Sequence, residues 1–300
     1  MGREKILPGL IAAGLVALVL GAGEAGCSRE RMVVVGSKNF TEQVLLGEII
    51  AQHLEHRLAM KVDRKLNLGG TLLAHQALVN GEIDLYPEYT GTALTSILKL
   101  PGLSDPAAAL DTVRAEYLSR FRVQWLDPLG FNNTFAMVIR GDDARRLKLY
   151  SLSDAAKYGP GWRLGVGYEF QQRPDGLAGL LKTYALPLKG SIQTMDLGLL
   201  YKALEQKQVD MVAGNATDGL LSILNVRVLE DDKHYFPPYQ AAIAVRTEAV
   251  AAHPALSRAL AELSGKFSDL QMQKLNYQVT GQHRSVSEVA QDFLRQAGLR

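Results

Sequence analysis

The segment "GEIDLYPEYTGTA" at residues 81–93 gathers Asp84, Tyr86, Glu88 and Tyr89 just where a short apolar run ends. Similar polar and aromatic segments follow other apolar runs. They are "GSKNFTE" with Lys38 and Glu42, "GYEFQQRPDG" with Arg173 and Asp175, and "GNATDG" with Asn215, while "PPYQAA" contributes Tyr239. Rings, basic groups and carboxylates at such places suit reversible binding of a charged small molecule. Each also has a structural alternative. Tyr86 and Tyr89 can pack on a rim, Lys38 can be a solvated charge, Arg173 can pair with Asp175 or Glu169, and Tyr239 can pack on a hinge. Asp84 and Asp210 read as structural residues that close turns at strand ends.

Signals for bond-making chemistry are poor. There is no G-x-S-x-G elbow and no P-loop, and "GVGYEF" places Phe170 where a dinucleotide fingerprint needs its third glycine. Treating Lys38, Glu42 or Asp175 as acid–base groups would need a nucleophile–base pair, and none is visible. His53 and His56 lie three apart on a predicted helix with a charged surrounding face, so no metal site is expected there. No catalytic residue and no cofactor is expected.

The chain has 300 residues, a net charge of +2 and an apolar fraction of 47%. That supports a sizeable core and argues against a nucleic-acid binder, which would carry a basic excess or stripe. Arg3 and Lys5 precede an apolar run over residues 6–20, followed by small residues to Gly26, the pattern of a secretory signal. The run is shorter than the ~20 residues of a spanning helix. Cys27, the only cysteine, follows directly. It is either a lipoprotein cysteine, cleaved before and acylated, or a bystander to cleavage after Ala25. Glu24 stands where lipoprotein signals usually carry leucine. Both alternatives export the protein, to the periplasm or the outer face of the cell membrane.

The elements that must position the candidates are read from periodicity. Residues 32–35 form a β-branched strand, and a helix capped by Asn39 runs to about Leu58. A strand at 62–66, a helix opened by Gly69, Gly70 and Thr71 and closed at Asn80-Gly81, and a strand at 83–85 complete a βαβαβ unit. The middle of the chain repeats this order: a strand at 163–166, a helix after Gly176, a helix at 197–207 capped by Asp196 and a strand at 209–213. "ALVNGEIDLYPEYTG" from Ala77 aligns without gaps to "ALEQKQVDMVAGNAT" from Ala203, placing Asp84 opposite Asp210 and Tyr89 opposite Asn215. "FAMVIR" and "AAIAVR", ending at Arg140 and Arg246, read as two crossings between lobes. The expected organisation is an export signal at 1–27, lobe one from 32–134 and 241–300, and lobe two from 135–240. The tail is helical and packs back on lobe one. In such open sheets ligands bind beyond the carboxyl ends of the strands, where helix N-termini converge.

"VVVGSKNFTEQVLLGEI", "LGGTLLAHQALVNGEIDLYPEYTGTAL", "FNNTFAM", "YEFQQRPDGL" and "YFPPYQAA" resemble, throughout the mature chain, the substrate-binding proteins of osmoprotectant ABC transporters, which serve glycine betaine, choline, carnitine and proline betaine. The resemblance implies an α/β, two-lobed periplasmic binding protein fold (type II). Each lobe would be a mainly parallel sheet flanked by helices, with two crossover strands. It also implies a monomer that passes a zwitterionic or quaternary ammonium ligand to a permease in the inner membrane. Trimethylammonium cannot donate a hydrogen bond and is held over aromatic faces. Carried onto this chain, Lys38 and Arg173 take the ligand's carboxylate. Tyr89, Phe135, Asn215 and Tyr239 occupy the cage positions, and Asn133 adds a polar contact. Phe135 lacks the family's hydroxyl and Asn215 lacks a ring. A lost ring is worth about threefold to thirtyfold in affinity. The departures therefore leave two alternatives, weak binding of glycine betaine or another cargo, such as an ergothioneine-like or amino-acid-like zwitterion. A sensory subunit is a further alternative. Tyr89 is expected to face the ligand, and Tyr86 and Glu88 to shape the loop and rim.

Overall fold

A computed structural model of the chain describes residues 32–300. The export signal, the position after Ala25 and Cys27 lie outside the described residues. The first sheet contains β1 (Val33–Gly36), β2 (Val62–Lys65), β3 (Leu85–Tyr89), β4 (Val123–Trp125) and β10 (Ala241–Arg246), in the order β2-β1-β3-β10-β4. The second contains β5 (Phe135–Arg140), β6 (Leu164–Val166), β7 (Gln193–Thr194), β8 (Met211–Asn215) and β9 (Val226–Val228), in the order β7-β6-β8-β5-β9. Both sheets follow one plan. Three strands run parallel, and a strand from the other end of the chain's path inserts antiparallel beside the third. Those inserted strands are "AAIAVR" and "FAMVIR". The sheets are mixed, with four of five strands sharing a direction in each.

Side chains alternate across each sheet, as strand geometry requires. Ala241, Ile243 and Val245 of β10 enter one core, and Ala242 and Ala244 enter another. Met137 and Ile139 of β5 face one core, and Ala136 and Val138 the opposite one. Both faces of both sheets are thus covered, which explains why the strands read as unbroken apolar runs.

Two boundaries differ from expectation, with consequences for the site. β3 starts at Leu85 and continues through Tyr89; it meets β1 only at Val35↔Leu85 and runs on beside β10. Tyr86 and Glu88 therefore belong to the strand and are fully buried, not rim residues. The first long helix, Thr41–Leu58, follows Phe40, and no side chain caps it; Asn39 does not serve. Instead Glu42 lies in its first turn, where a carboxylate favours the helix dipole.

The tail forms helices Leu256–Ala261, Asp269–Thr280 and Val286–Gln296. Leu260, Met272 and Phe293 share a core with Val33 and Val35 of β1. The middle tail helix also reaches the second sheet's side. The Asn276 side-chain amide donates to the Thr217 carbonyl at 2.9 Å. Gly219 sits so close to the Tyr277 backbone that a side chain there would collide.

Candidate functional site

A cavity of about 880 Å³ lies between the two sheet-centred bodies. Lys38, Tyr89, Asn133, Phe135, Arg173, Asn215 and Tyr239 all line it. They come from six segments, and the fold brings them together because β3 and β8 both end at the cavity.

The centre strands keep the register read between Ala77 and Ala203: β3 ends at Tyr89 and β8 at Asn215. Tyr89 pairs across the ladder with Ala241, and Asn215 with Phe135. Each pair therefore presents one ring, on the centre strand in the first body and on the inserted strand in the second. Phe135 packs edge-on against Phe170 and Tyr239, with centroids 4.8 and 5.6 Å apart. Tyr239 approaches closely because Gly91 lets it: a Cβ there would stand 2.7 Å from the ring. Asn215 is tied down by Asp218, which accepts its backbone N–H at 2.8 Å and the Tyr201 hydroxyl at 2.7 Å. Burial pushes the Asp218 carboxyl above its ordinary range.

The basic groups are anchored as well as aimed. Lys38 is buried, its ammonium 2.5 Å from Glu88 and 4.7 Å from the Tyr89 ring centroid. Glu88 also accepts from the Tyr86 hydroxyl (3.1 Å) and the Tyr89 N–H (2.7 Å). Tyr86 and Glu88 are thus the support beneath Lys38 and Tyr89. Arg173 donates to both Asp175 oxygens, at 2.9 and 2.5 Å, and to the Thr92 hydroxyl at 2.9 Å. Its guanidinium lies 5.0 Å from the Phe135 centroid and 5.5 Å from that of Tyr239. Burial disfavours the Asp175 anion, but Arg173, Tyr239 and Thr95 outweigh it and hold the carboxyl below the usual range. Arg173 thus makes the structural pair with Asp175 and still lines the cavity. Guanidinium has five N–H groups and ammonium three. Two on each of Arg173 and Lys38 make no hydrogen bond among the described residues, so both keep donors for a bound carboxylate.

Glu42, expected from the sequence as part of a helix start or as an acid–base alternative, is instead a hub. It is buried and accepts from the Tyr89 hydroxyl (2.6 Å), the Asn133 amide (2.8 Å), the Thr217 hydroxyl (2.5 Å) and the Asn276 amide (2.9 Å). Burial raises its pKa, and these four donors oppose the rise. It fixes the Tyr89 ring and ties both bodies and the tail together. Glu42 and Thr217 sit in segments that drew attention for their polarity; nothing in the sequence marked Asn276. Asp84 and Asp210 are structural ties. Asp84 accepts the Val34 N–H and lies 3.6 Å from Arg246, while Asp210 binds Arg163 and Arg140. His53 is buried against the Ala259 carbonyl at 2.8 Å. Among the described residues no group of three or more His, Cys, Asp or Glu could hold a metal ion, and no helix is long and apolar enough to cross a membrane.

The arrangement can hold a cation over rings and offer donors to an anion a few ångströms away. The OpuAC family, described as the substrate binding domain of ABC-type glycine betaine transport systems, matches residues 31–296. The chain belongs to this family. It is 36% identical over 272 residues to the carnitine transport binding protein OpuCC of Listeria monocytogenes, covering 90% of this chain and 88% of that protein. It is 37% identical to the ergothioneine transport permease/ergothioneine binding protein EgtU of Helicobacter pylori, again over 90% of this chain but 48% of that protein. A solved structure described as a glycine betaine/carnitine/choline ABC transporter aligns with a TM-score of 0.76 at 31% identity, covering 89% of this chain and 99% of that one. Membership confirms the two-lobed α/β architecture implied by the motifs. It also makes the chain a transporter binding protein, which is not an enzyme class, acting outside the cytoplasm.

Proposed function

We propose that the chain is the receptor of an ABC importer for quaternary ammonium osmoprotectants of the glycine betaine class. The observation that carries this reading is the convergence on one cavity of three rings and two anchored cations with spare donors. Tyr89, Phe135 and Tyr239 take the ammonium head, Lys38 and Arg173 the carboxylate, and Asn133 and Asn215 polar flanks. Residues 32–134 with 241–300 act as lobe one and 135–240 as lobe two, closing on ligand. The loaded monomer docks on a membrane permease, either tethered through Cys27 or free in the periplasm after cleavage behind Ala25.

A second reading is favoured by one feature. The cavity of about 880 Å³ is generous, near the upper end of ordinary ligand sites, and Asn215 leaves one side without a ring. A bulkier betaine, such as the ergothioneine named for EgtU, would use that space. Thermal unfolding with glycine betaine, choline, carnitine and ergothioneine, each at saturating concentration, tests both. One or more should raise the melting temperature by several degrees, as ligand at a hundred times its Kd adds about 2.7 kcal/mol. No shift with any of them would refute the class.

A further inference from the structure

Helix Thr71–Val79 in the first body starts without help from its own side chains, because the residue before it is Gly70. The first N–H groups of a helix have no partner within it. Ser, Thr, Asp or Asn at the preceding position usually supplies one. Here the acceptor comes from the other body. Glu169, on the short helix Tyr168–Gln172, takes the Thr71 N–H on one carboxylate oxygen at 2.5 Å and the Thr71 hydroxyl on the other at 3.1 Å. Thr71 is buried. Gly70 is what makes room, since a Cβ there would stand 2.5 Å from the Glu169 oxygen. Both bonds cross the cleft, so separating the bodies breaks them together and strips the helix of its cap. Glu169 is also coupled to the ligand-facing cation: its backbone carbonyl accepts the Arg173 N–H at 2.9 Å, so latch and guanidinium move on one turn of chain.

We infer that Glu169 is an interlobe latch, a positioning residue that caps the opposite body's helix when the cleft shuts and so sets how long ligand stays bound. It deepens the proposed function and rests on it. A ligand's apparent affinity scales with the population of the competent state. Loss of a latch formed after ligand entry therefore appears in dissociation rather than association.

The test uses the purified full-length protein with glycine betaine and carnitine as probes and stopped-flow fluorescence as readout. Glu169→Ala should raise the dissociation rate roughly tenfold, the scale of losing charge-assisted hydrogen bonds, with association within about twofold. Gly70→Ala, which pushes the carboxylate away from the other side, should do the same. The double variant should be no worse than either single one. Glu169→Gln should recover most of the loss, because the amide can still accept from the Thr71 N–H. Equal, additive losses in the double variant, or a loss with Glu169→Gln as full as with Ala, would mean that Glu169 serves the ligand directly and would overturn the latch. If Gly70→Ala does not fold, Thr71→Val replaces it, with a rise of about threefold. Amide exchange separates this inference from the reading beneath it. With any ligand that raises the melting temperature, betaine or not, the Thr71 amide of the bound protein should exchange faster in Glu169→Ala than in the natural protein, and equal exchange would refute the latch.

Discussion

β3 and β8 hold the same place in two sheets of the same order, and both deliver their last residue to the cavity. Their frameworks agree closely. Each is preceded by an aspartate tied to the arginine that ends the neighbouring antiparallel strand, Asp84 with Arg246 and Asp210 with Arg140. At the cavity they diverge. β3 ends in Tyr89, backed by the Lys38–Glu88 pair and by Glu42; β8 ends in Asn215, backed by Asp218 and Tyr201. The strand plan is set by unbroken apolar runs and one ion pair, whereas the final residue faces the cavity. The two bodies thus keep a shared scaffold and differ at the cavity: the first backs its ring with Lys38, Glu88 and Glu42, whereas the second sets Phe135 and Phe170 beside the Arg173–Asp175 pair.

Changes that break this division should be felt in proportion to what they leave buried and unpaired. Arg173→Ala removes a carboxylate donor and leaves the buried Asp175 without its cation, held only by the Thr95 and Tyr239 hydroxyls. It should weaken glycine betaine binding by more than tenfold and cost roughly 3 kcal/mol of stability, seen by calorimetric titration and urea unfolding. Unchanged affinity would remove Arg173 from the site. Phe135→Ala deletes the only ring of its cross-strand pair and should cost up to about thirtyfold in affinity for a quaternary ammonium probe. A loss below twofold would mean that this ring does not face the head group. Asn215→Tyr places a ring on both members of that pair and should strengthen glycine betaine binding about threefold; no gain would show that a ring there cannot reach the ligand. The smallest effect concerns the scaffold. The Arg163 and Arg140 guanidiniums, against some desolvation, lower the Asp210 pKa from 3.8 to about 2. Its stabilisation is therefore present above pH 3.8 and lost as pH falls through about 2. Asp210→Asn should cost about 1 kcal/mol at pH 7, discounted for partial exposure, and the difference from the natural protein should shrink toward pH 2. A difference independent of pH would deny the ionic tie.

The strands, the inserted pair and the register between the halves were legible because they rest on local periodicity and on repeated patterns such as "AAIAVR". The seven cavity residues were found through the motifs they sit in. What escaped notice was the pairing between distant segments. Glu88 looked like a rim residue because a strand was expected to stop at Leu85, yet β3 runs on beside β10 where only the tertiary ladder supports it. Asn276 and the Thr71–Glu169 contact join positions far apart in sequence, and no spacing rule reaches across a cleft. The helix at Thr41 showed an apparent cap in Asn39, but its first turn is instead organised around Glu42.

The central claim is that the cavity recognises positive charge on a methylated head. Calorimetric titration with glycine betaine and with 3,3-dimethylbutanoate, its uncharged-head isostere, tests it most directly. Glycine betaine should bind one-to-one, and the isostere at least tenfold more weakly. Equal affinity for the two, or binding of neither by folded protein, would contradict it.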